Sequence, residues 1–166
     1  MSLEILKARL GLGARANKYL ITMNYADAVS VDALAKAATL PDATMGTVEV
    51  WNKGRKLMVA GDAAYSNTWD VTFYNDELLT LKKIFETEMT RIDSFDVDTR
   101  SVITNAEYMT DITVSQLSAT NIPTATYQLR NAFPTAISAV DLADDAADTI
   151  SELTVTFTYS HWVRVF

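Results

Sequence analysis

Alternation between apolar and polar residues, with a period of two, recurs along most of the chain and predicts β-strands. The clearest run lies near the C-terminal end, where Leu153, Val155 and Phe157 alternate with threonines, and it is expected to continue through the final residues. Pro134 is expected to interrupt the run 137–142, because proline cannot donate a hydrogen bond to a sheet. The other predicted strands cover residues 17–25, 47–51, 55–60, 69–74, 112–117 and 124–130.

A β-hairpin is expected in the first half of the chain. The runs 47–51 and 55–60 are joined by Asn52-Lys53-Gly54. Three connecting residues with glycine last are typical of a type I turn followed by a bulge.

One segment changes its period from two residues to three or four, which predicts an amphipathic helix. From Leu78 to Ile92, apolar residues recur on one stripe, and charged residues take the opposite face. The preceding tripeptide, Asn75-Asp76-Glu77, is typical of a helix start. Asparagine is a good N-cap, and acidic residues suit the positive end of the helix dipole.

Two segments lack a clear strand period. Residues 30–40 are rich in alanine, and their propensity favours a short helix that Ser30 caps and Pro41 ends. Residues 93–111 are acidic and irregular, and a long loop is expected there. Taken together, the pattern predicts a mainly β fold with one helix, built as an antiparallel sandwich or partial barrel.

Composition is consistent with one globular domain. The chain has 166 residues, of which 49% are hydrophobic and 21% charged. It has no cysteine, which excludes disulfides and thiolate metal sites. No apolar run reaches the length of a membrane span, and charged residues break the N-terminal segment, so a signal peptide is not expected. We expect an N-terminal arm over residues 1–13 and a single β domain over 14–166.

The net charge of −7 argues against stable binding to nucleic acid. Residues 1–56 carry a balance of +3, and residues 57–166 carry −10. A surface rich in carboxylates repels phosphate groups. The asymmetry also suits head-to-tail contact between copies.

An acidic cluster near residue 145 matches a calcium loop in its length and in the acids at its first, fifth and last positions. Its twelve residues have alanines where the EF-hand requires its second ligand and its turning glycine, so no metal site is expected. A solvated turn, or an edge that faces a lumen or an interface, explains the acids better. The cluster comprises Asp141, Asp144, Asp145, Asp148 and Glu152.

Candidate catalytic residues also have simpler explanations. His161, the only histidine, follows Ser160 in a strand, so the two side chains are expected on opposite faces. Gly61-Asp62 lacks the context of a phosphate-binding loop. No catalytic residue, cofactor or enzymatic activity is therefore expected.

Short fragments spread along the chain, among them Gly54-Arg55-Lys56, Gly61-Asp62 with Trp69, and Phe133-Pro134, together resemble the tail tube proteins of contractile-tailed bacteriophages. Each fragment alone is weak, but their order and spacing over residues 15–162 are specific. Departures such as Ala16, where the family has proline, lie in turns. The residues expected to carry the structural motif of the family are Gly54, Arg55, Lys56, Gly61, Asp62, Trp69, Asn75, Asp76, Glu77, Phe133, Pro134 and Trp162.

The resemblance implies two packed antiparallel sheets with one helix, in subunits that form hexameric rings. Sheets of neighbouring subunits would join edge to edge into a ring-wide β-barrel, and the rings would stack into a hollow tube. It also implies an extended segment 30–40. We adopt that expectation because tertiary context overrides propensity.

The function implied by the resemblance is a conduit. The tube would hold the tape-measure protein and would pass DNA without binding it stably. Contraction of the sheath would drive the tube through the host envelope. Other partners would be the sheath, the baseplate and the tail terminator, and no membrane binding is implied. The subunit would be assembled in the host cytoplasm and reside in the virion tail. We hypothesise that Asp141, Asp144, Asp145 and Glu152 face the lumen or an interface.

Three other functions stay open at this stage. The inner tube of a type VI secretion or extracellular contractile injection system shares the implied fold. A monomeric β-sandwich binding module is the second, and an enzyme without a familiar signature is the third.

Overall fold

The computed structural model describes residues 3–11, 13–24, 28–93, 104–140, 142 and 149–165. The predicted mainly β fold is confirmed. The strands are β1 (Tyr19–Met23), β2 (Ala35–Ala38), β3 (Thr44–Asn52), β4 (Arg55–Ala64), β5 (Thr68–Tyr74), β6 (Thr110–Leu117), β7 (Pro123–Ile137), β8 (Glu152–Thr158) and β9 (His161–Arg164). The helices are α1 (Leu3–Leu10), α2 (Ala28–Leu34), α3 (Thr80–Ile92) and α4 (Asn105–Tyr108). No helix in the described part of the chain is long and apolar enough to cross a membrane.

Two packed antiparallel sheets share the long strand β7. Sheet A has the order β1-β6-β7-β9, and sheet B has the order β2-β5-β8-β7. β7 pairs with β6 as far as Ala132 and with β8 from Phe133 onward. Between these two parts, Asn131 has a left-handed backbone with φ 55°, and its N–H donates to Asp111 Oδ1 at 3.2 Å. The strand therefore turns from one sheet into the other at Asn131.

The core lies between the inner faces of the two sheets and is closed by α3. The alternation predicted from the sequence is confirmed in β5, where Trp69, Val71 and Phe73 are buried. From α3, the fully buried ring of Phe85 lies 5.9 Å from that of Phe73 and 5.7 Å from that of Phe157. The remaining buried apolar residues of the sheets and α3 are Ile21, Met23, Leu81, Ile112, Val114, Leu129, Ala132, Leu153 and Val155.

α3 begins later than the sequence predicts. Asn75 is not its N-cap, because the Asn75 backbone N–H and side-chain amide donate to Ser151 and so tie the end of β5 to the start of β8. Leu79 precedes the first helical residue with φ 51°, and Leu78 is 69% exposed, outside the apolar stripe. Tertiary pairing with β8 thus delays the helix to Thr80.

The hairpin turn between β3 and β4 is tighter than predicted. Asn52 pairs directly with Arg55, so the turn contains only Lys53 and Gly54. Their φ angles are 47° and 82°. Positive φ at both positions defines a type I′ turn, whose twist matches that of the strands it joins. The expected three-residue turn with a bulge is wrong.

Three other segments also differ from the prediction. Residues 30–40 are neither all helix nor all extended, since α2 ends at Leu34 and β2 follows at once, held by pairing with β5. Pro134 does not end β7, because it lies at a register shift opposite β8, where its missing N–H is tolerated. β8 does not continue to the chain end. The strand is interrupted near Ser160, whose N–H donates to Arg130 O. After this interruption, β9 pairs with β7 in sheet A.

Candidate functional site

The β3–β4 hairpin stands away from the sandwich. The two strands pair only with each other in the described residues, and every residue of them is exposed except Gly61, which is half-buried. A two-stranded sheet alone is marginally stable in water. An exposed hairpin of this length therefore indicates a surface that another molecule covers.

The strand register gives the hairpin one aliphatic face. Val48 pairs with Val59 and Val50 with Leu57, and directly paired residues share a face of an antiparallel sheet. These four side chains, here called the aliphatic face, are 44–62% exposed in the subunit. No charged residue separates the two pairs, so the patch is continuous.

The opposite face of the hairpin is amphipathic. Lys56 forms an ion pair with Glu49, and its Nζ lies 5.9 Å from the centroid of the Trp51 ring. Trp51 and Met58 on this face are also exposed. The hairpin thus has two chemically different sides.

Close backbone contact explains two glycines near the base of the hairpin. The register shifts between Met45 and Thr47, and a Cβ atom on Gly61 would lie 3.1 Å from the carbonyl of Gly46. A side chain there would push the strands apart. The motif Gly61-Asp62 therefore serves a bulge, and Gly54 serves the turn.

Two tryptophans of the sandwich contact the segment that leads into the hairpin. Trp69 Nε1–H donates to Thr39 O at 2.6 Å, and Trp162 Nε1–H donates to Asp42 O at 2.7 Å. Trp69 is buried against Phe157, with ring centroids 5.9 Å apart. Both tryptophans of the predicted motif therefore lie where the hairpin joins the sandwich, a place that we call the hairpin root.

The outer face of sheet B is a row of hydroxyl groups. The hydroxyls of Thr72 and Thr154 lie 3.2 Å apart, and Thr156 donates to Asp70 at 2.6 Å. Thr158 donates to the hydroxyl of Thr135 at 3.2 Å. This face is polar but carries few charges.

Both sheets have open edges in the described part of the chain. β2 has a partner only in β5, and the second part of β7 only in β8. β1 and β9 are the corresponding edges of sheet A. Unpaired edges expose backbone N–H and C=O groups that another strand can bind.

The other predicted motif residues have structural roles. The backbone N–H and the hydroxyl of Thr80 donate to the Asp76 carboxylate at 2.7 and 2.6 Å. These hydrogen bonds hold the pKa of Asp76 below its ordinary value, and the one from the Thr80 hydroxyl has the larger effect. Glu77 is exposed beside them, and the ring of Phe133 lies 5.5 Å from that of Tyr108.

The predicted acidic cluster is only partly described. Asp141, Asp144, Asp145 and Asp148 lie outside the described residues. Glu152, on the outer face of sheet B, forms an ion pair with Lys36, and its hydrogen bond raises the pKa of that lysine. The described residues contain no cluster of acids or histidine that could hold a metal ion.

The sequence analysis missed the aliphatic face and two further exposed apolar residues at one end of sheet B. Leu78 and Ile150 are 69% and 65% exposed, just beyond the register pair formed by Tyr74 and Glu152. We call these two exposed residues, one after the end of β5 and one before the start of β8, the end patch. They lie at one end of β5, and the hairpin root lies at the other end. Because β5 has seven residues, these two ends are about 20 Å apart.

Comparisons with known proteins agree with this description. A profile of the family described as phage tail tube protein matches residues 6–165. No curated protein sequence matches the chain significantly.

Solved structures share the fold at low sequence identity. A chain of the 6-fold symmetrised baseplate of the anti-feeding prophage aligns with a TM-score of 0.64 and 15% identity, covering 92% of this chain and 95% of that one. A chain of the sheath–tube complex of the PVC extracellular contractile injection system gives 0.60 and 13%, covering 99% and 97%. A chain from the tube-terminating cap of the anti-feeding prophage gives 0.62 and 13%, covering 91% and 89%.

Proposed function

Because the chain belongs to the phage tail tube protein family, whose profile spans nearly all of it, we propose that it forms hexameric rings that stack into a hollow tail tube. The observation that carries the proposal is the aliphatic face. Burying apolar surface of this kind is the main driving force of protein association. A single subunit leaves it in water, whereas a stack of subunits covers it.

The positions of the two apolar patches support open-ended stacking. The hairpin projects from the end of the sandwich where β5 begins, and the end patch lies where β5 ends. We propose that the aliphatic face of one subunit binds near the end patch of a subunit in the next ring. A contact between two different surfaces that does not close into a ring repeats without limit along an axis.

Strand direction supports closure of each ring through sheet B. Its four strands alternate in direction, so the second part of β7 runs antiparallel to β2. Copies related by rotation can therefore pair β7 of one subunit with β2 of the next, and six copies would close a barrel. One structurally similar chain belongs to an assembly described with 6-fold symmetry.

We propose that the hydroxyl-rich outer face of sheet B lines the lumen. Threonine side chains keep the wall hydrated, and Asp70 adds negative charge that disfavours bound phosphate. Glu152 would lie on this wall with its charge paired by Lys36. Asp141, Asp144 and Asp145 stay proposed lumen or interface residues.

In this proposal the chain has a structural role and no catalytic one. The tube holds the tape-measure protein, conducts DNA, and contacts sheath, baseplate and terminator within a virion tail that assembles in the host cytoplasm. Residues 1–13 form an arm and 14–166 the tube domain. An injection-system tube would share this geometry. Its cargo would be an effector protein rather than DNA.

Sedimentation velocity over a wide concentration range, with negative-stain electron microscopy, tests the proposal. We expect six-membered rings with a central hole, and hollow rods of uniform width at higher concentration. A particle that stays monomeric at every concentration and salt, with or without its tail components, would overturn it.

A further inference from the structure

The segment between β2 and β3 is held by side chains rather than by a strand ladder. Residues 39–43 have no regular structure. The carbonyls of Thr39 and Asp42 accept the indole N–H groups of Trp69 and Trp162. Indole nitrogen only donates, so each tryptophan supplies the one partner that a carbonyl outside a sheet needs.

The segment that returns from the hairpin is held by the same side of the sandwich. The ring of Tyr65 packs edge-on against Trp162, with centroids 6.0 Å apart. Tyr159 N–H donates to Asn67 O at 3.0 Å, and the Tyr159 hydroxyl lies 3.3 Å from that of Ser66. We call the two segments that connect the hairpin to the sandwich, residues 39–43 and 65–67, the outgoing and the returning leg. Both legs are therefore fixed to the sandwich.

Trp162 is the one side chain in the described contacts that joins both legs. Its indole N–H binds the outgoing leg at Asp42, and its ring contacts Tyr65 on the returning leg. A third contact, to the ring of Tyr127 at 5.4 Å, ties it to β7 of sheet A. A rigid bicyclic ring with three attachments leaves the hairpin little freedom to swing.

We propose that Trp162, with Trp69, is a positioning residue that fixes the direction of the hairpin before assembly. This inference rests on the proposed function, because a fixed direction matters only if the hairpin must enter a second copy of the chain. A hairpin that is already oriented loses less conformational entropy on binding. The tryptophans thus act on assembly through the direction of the hairpin.

The test compares Trp162→Phe with the wild type. Phenylalanine keeps a ring against Tyr65 but removes the N–H donor to Asp42. Because the chain has no cysteine, spin labels can be placed at Lys53→Cys in the hairpin turn and Thr87→Cys on the exposed face of α3. Pulsed electron paramagnetic resonance, on labelled protein diluted with unlabelled protein, gives the distance distribution between them. The control is Trp51→Phe, on the hairpin itself.

We expect a narrow distribution in the wild type and in Trp51→Phe, and at least a twofold broader one in Trp162→Phe. The concentration needed for tube formation should rise about fivefold with the lost hydrogen bond. An unchanged distribution in a folded Trp162→Phe overturns the inference. If that variant does not fold, Tyr65→Ala takes its place, with the same two outcomes. Failure of the wild type to form rings overturns the proposed function instead, and leaves the distance measurement valid.

Discussion

Polar substitution of the aliphatic face should weaken tube assembly while leaving the subunit folded. The change we consider is Val50→Thr together with Leu57→Thr, which is the nearer to the turn of the two register pairs of the aliphatic face. Threonine suits strands well, so the hairpin should keep its structure. The two side chains are already 45% and 62% exposed in the subunit, so the melting temperature of the monomer should move little.

The size of the effect follows from those exposures. Fully burying a valine or leucine side chain is worth about 1.5–3 kcal/mol, and about half of each surface is left for a partner to cover. The pair therefore contributes about 1.5–3 kcal/mol to each contact between subunits. Threonine keeps one methyl group, so we expect a loss of about 1.5 kcal/mol, or roughly tenfold in the association constant. Six contacts per ring would multiply the effect.

Sedimentation velocity across a concentration series measures this shift, and circular dichroism confirms folding. The matched control is Thr47→Ser with Ala60→Ser, a register pair on the opposite face of the same strands. It should assemble as the wild type does. Assembly of the Val50→Thr, Leu57→Thr variant at the wild-type concentration would show that the aliphatic face is not buried between copies.

Three further predictions concern the stability of the subunit. Phe85→Ala should lower the free energy of unfolding in urea by about 3–5 kcal/mol, because a fully buried ring is lost; Thr87→Ala on the exposed side should change it little. The lowered pKa of Asp76 means that its hydrogen bonds with Thr80 stabilise the fold above the ordinary carboxyl pKa and are lost as pH falls through the lowered value. The melting temperatures of wild type and Asp76→Asn should therefore differ near neutral pH and converge in acid; a constant difference would contradict this. Asn131→Val should destabilise the bend in β7 by about 1–2 kcal/mol in thermal unfolding, whereas Asn131→Gly should not.

Local periodicity could predict most strands because one face of each is buried. The alternation around Trp69, Val71 and Phe73 reports a real inner face. It could not predict the start of α3. The partner of Asn75 is Ser151, 76 residues further along the chain, and a pairing over that separation leaves no local signal. The mixed character of residues 30–40 has the same cause, since β5 draws Ala35–Ala38 into sheet B.

The candidate site depended on a detail of turn geometry. The expected three-residue turn would set Val50 opposite Lys56 and mix apolar with charged residues on both faces of the hairpin. The observed two-residue turn sets Val50 opposite Leu57 instead and creates the aliphatic face. Period-two alternation also does not reveal whether a strand's apolar side meets its own core or another molecule. For β3 and β4, only the structure showed that the sandwich does not cover it.

The strand that turns at Asn131 has a mechanical consequence. Because β7 is hydrogen-bonded to β6 in one layer and to β8 in the other, sliding one layer past the other would strain a continuous backbone. A force along the tube axis that acts on one sheet is therefore transmitted through the covalent backbone of β7 to the other sheet of the same subunit. Sliding sheet A past sheet B would therefore have to break whole rows of hydrogen bonds at once. It could not proceed by separating side-chain contacts one at a time.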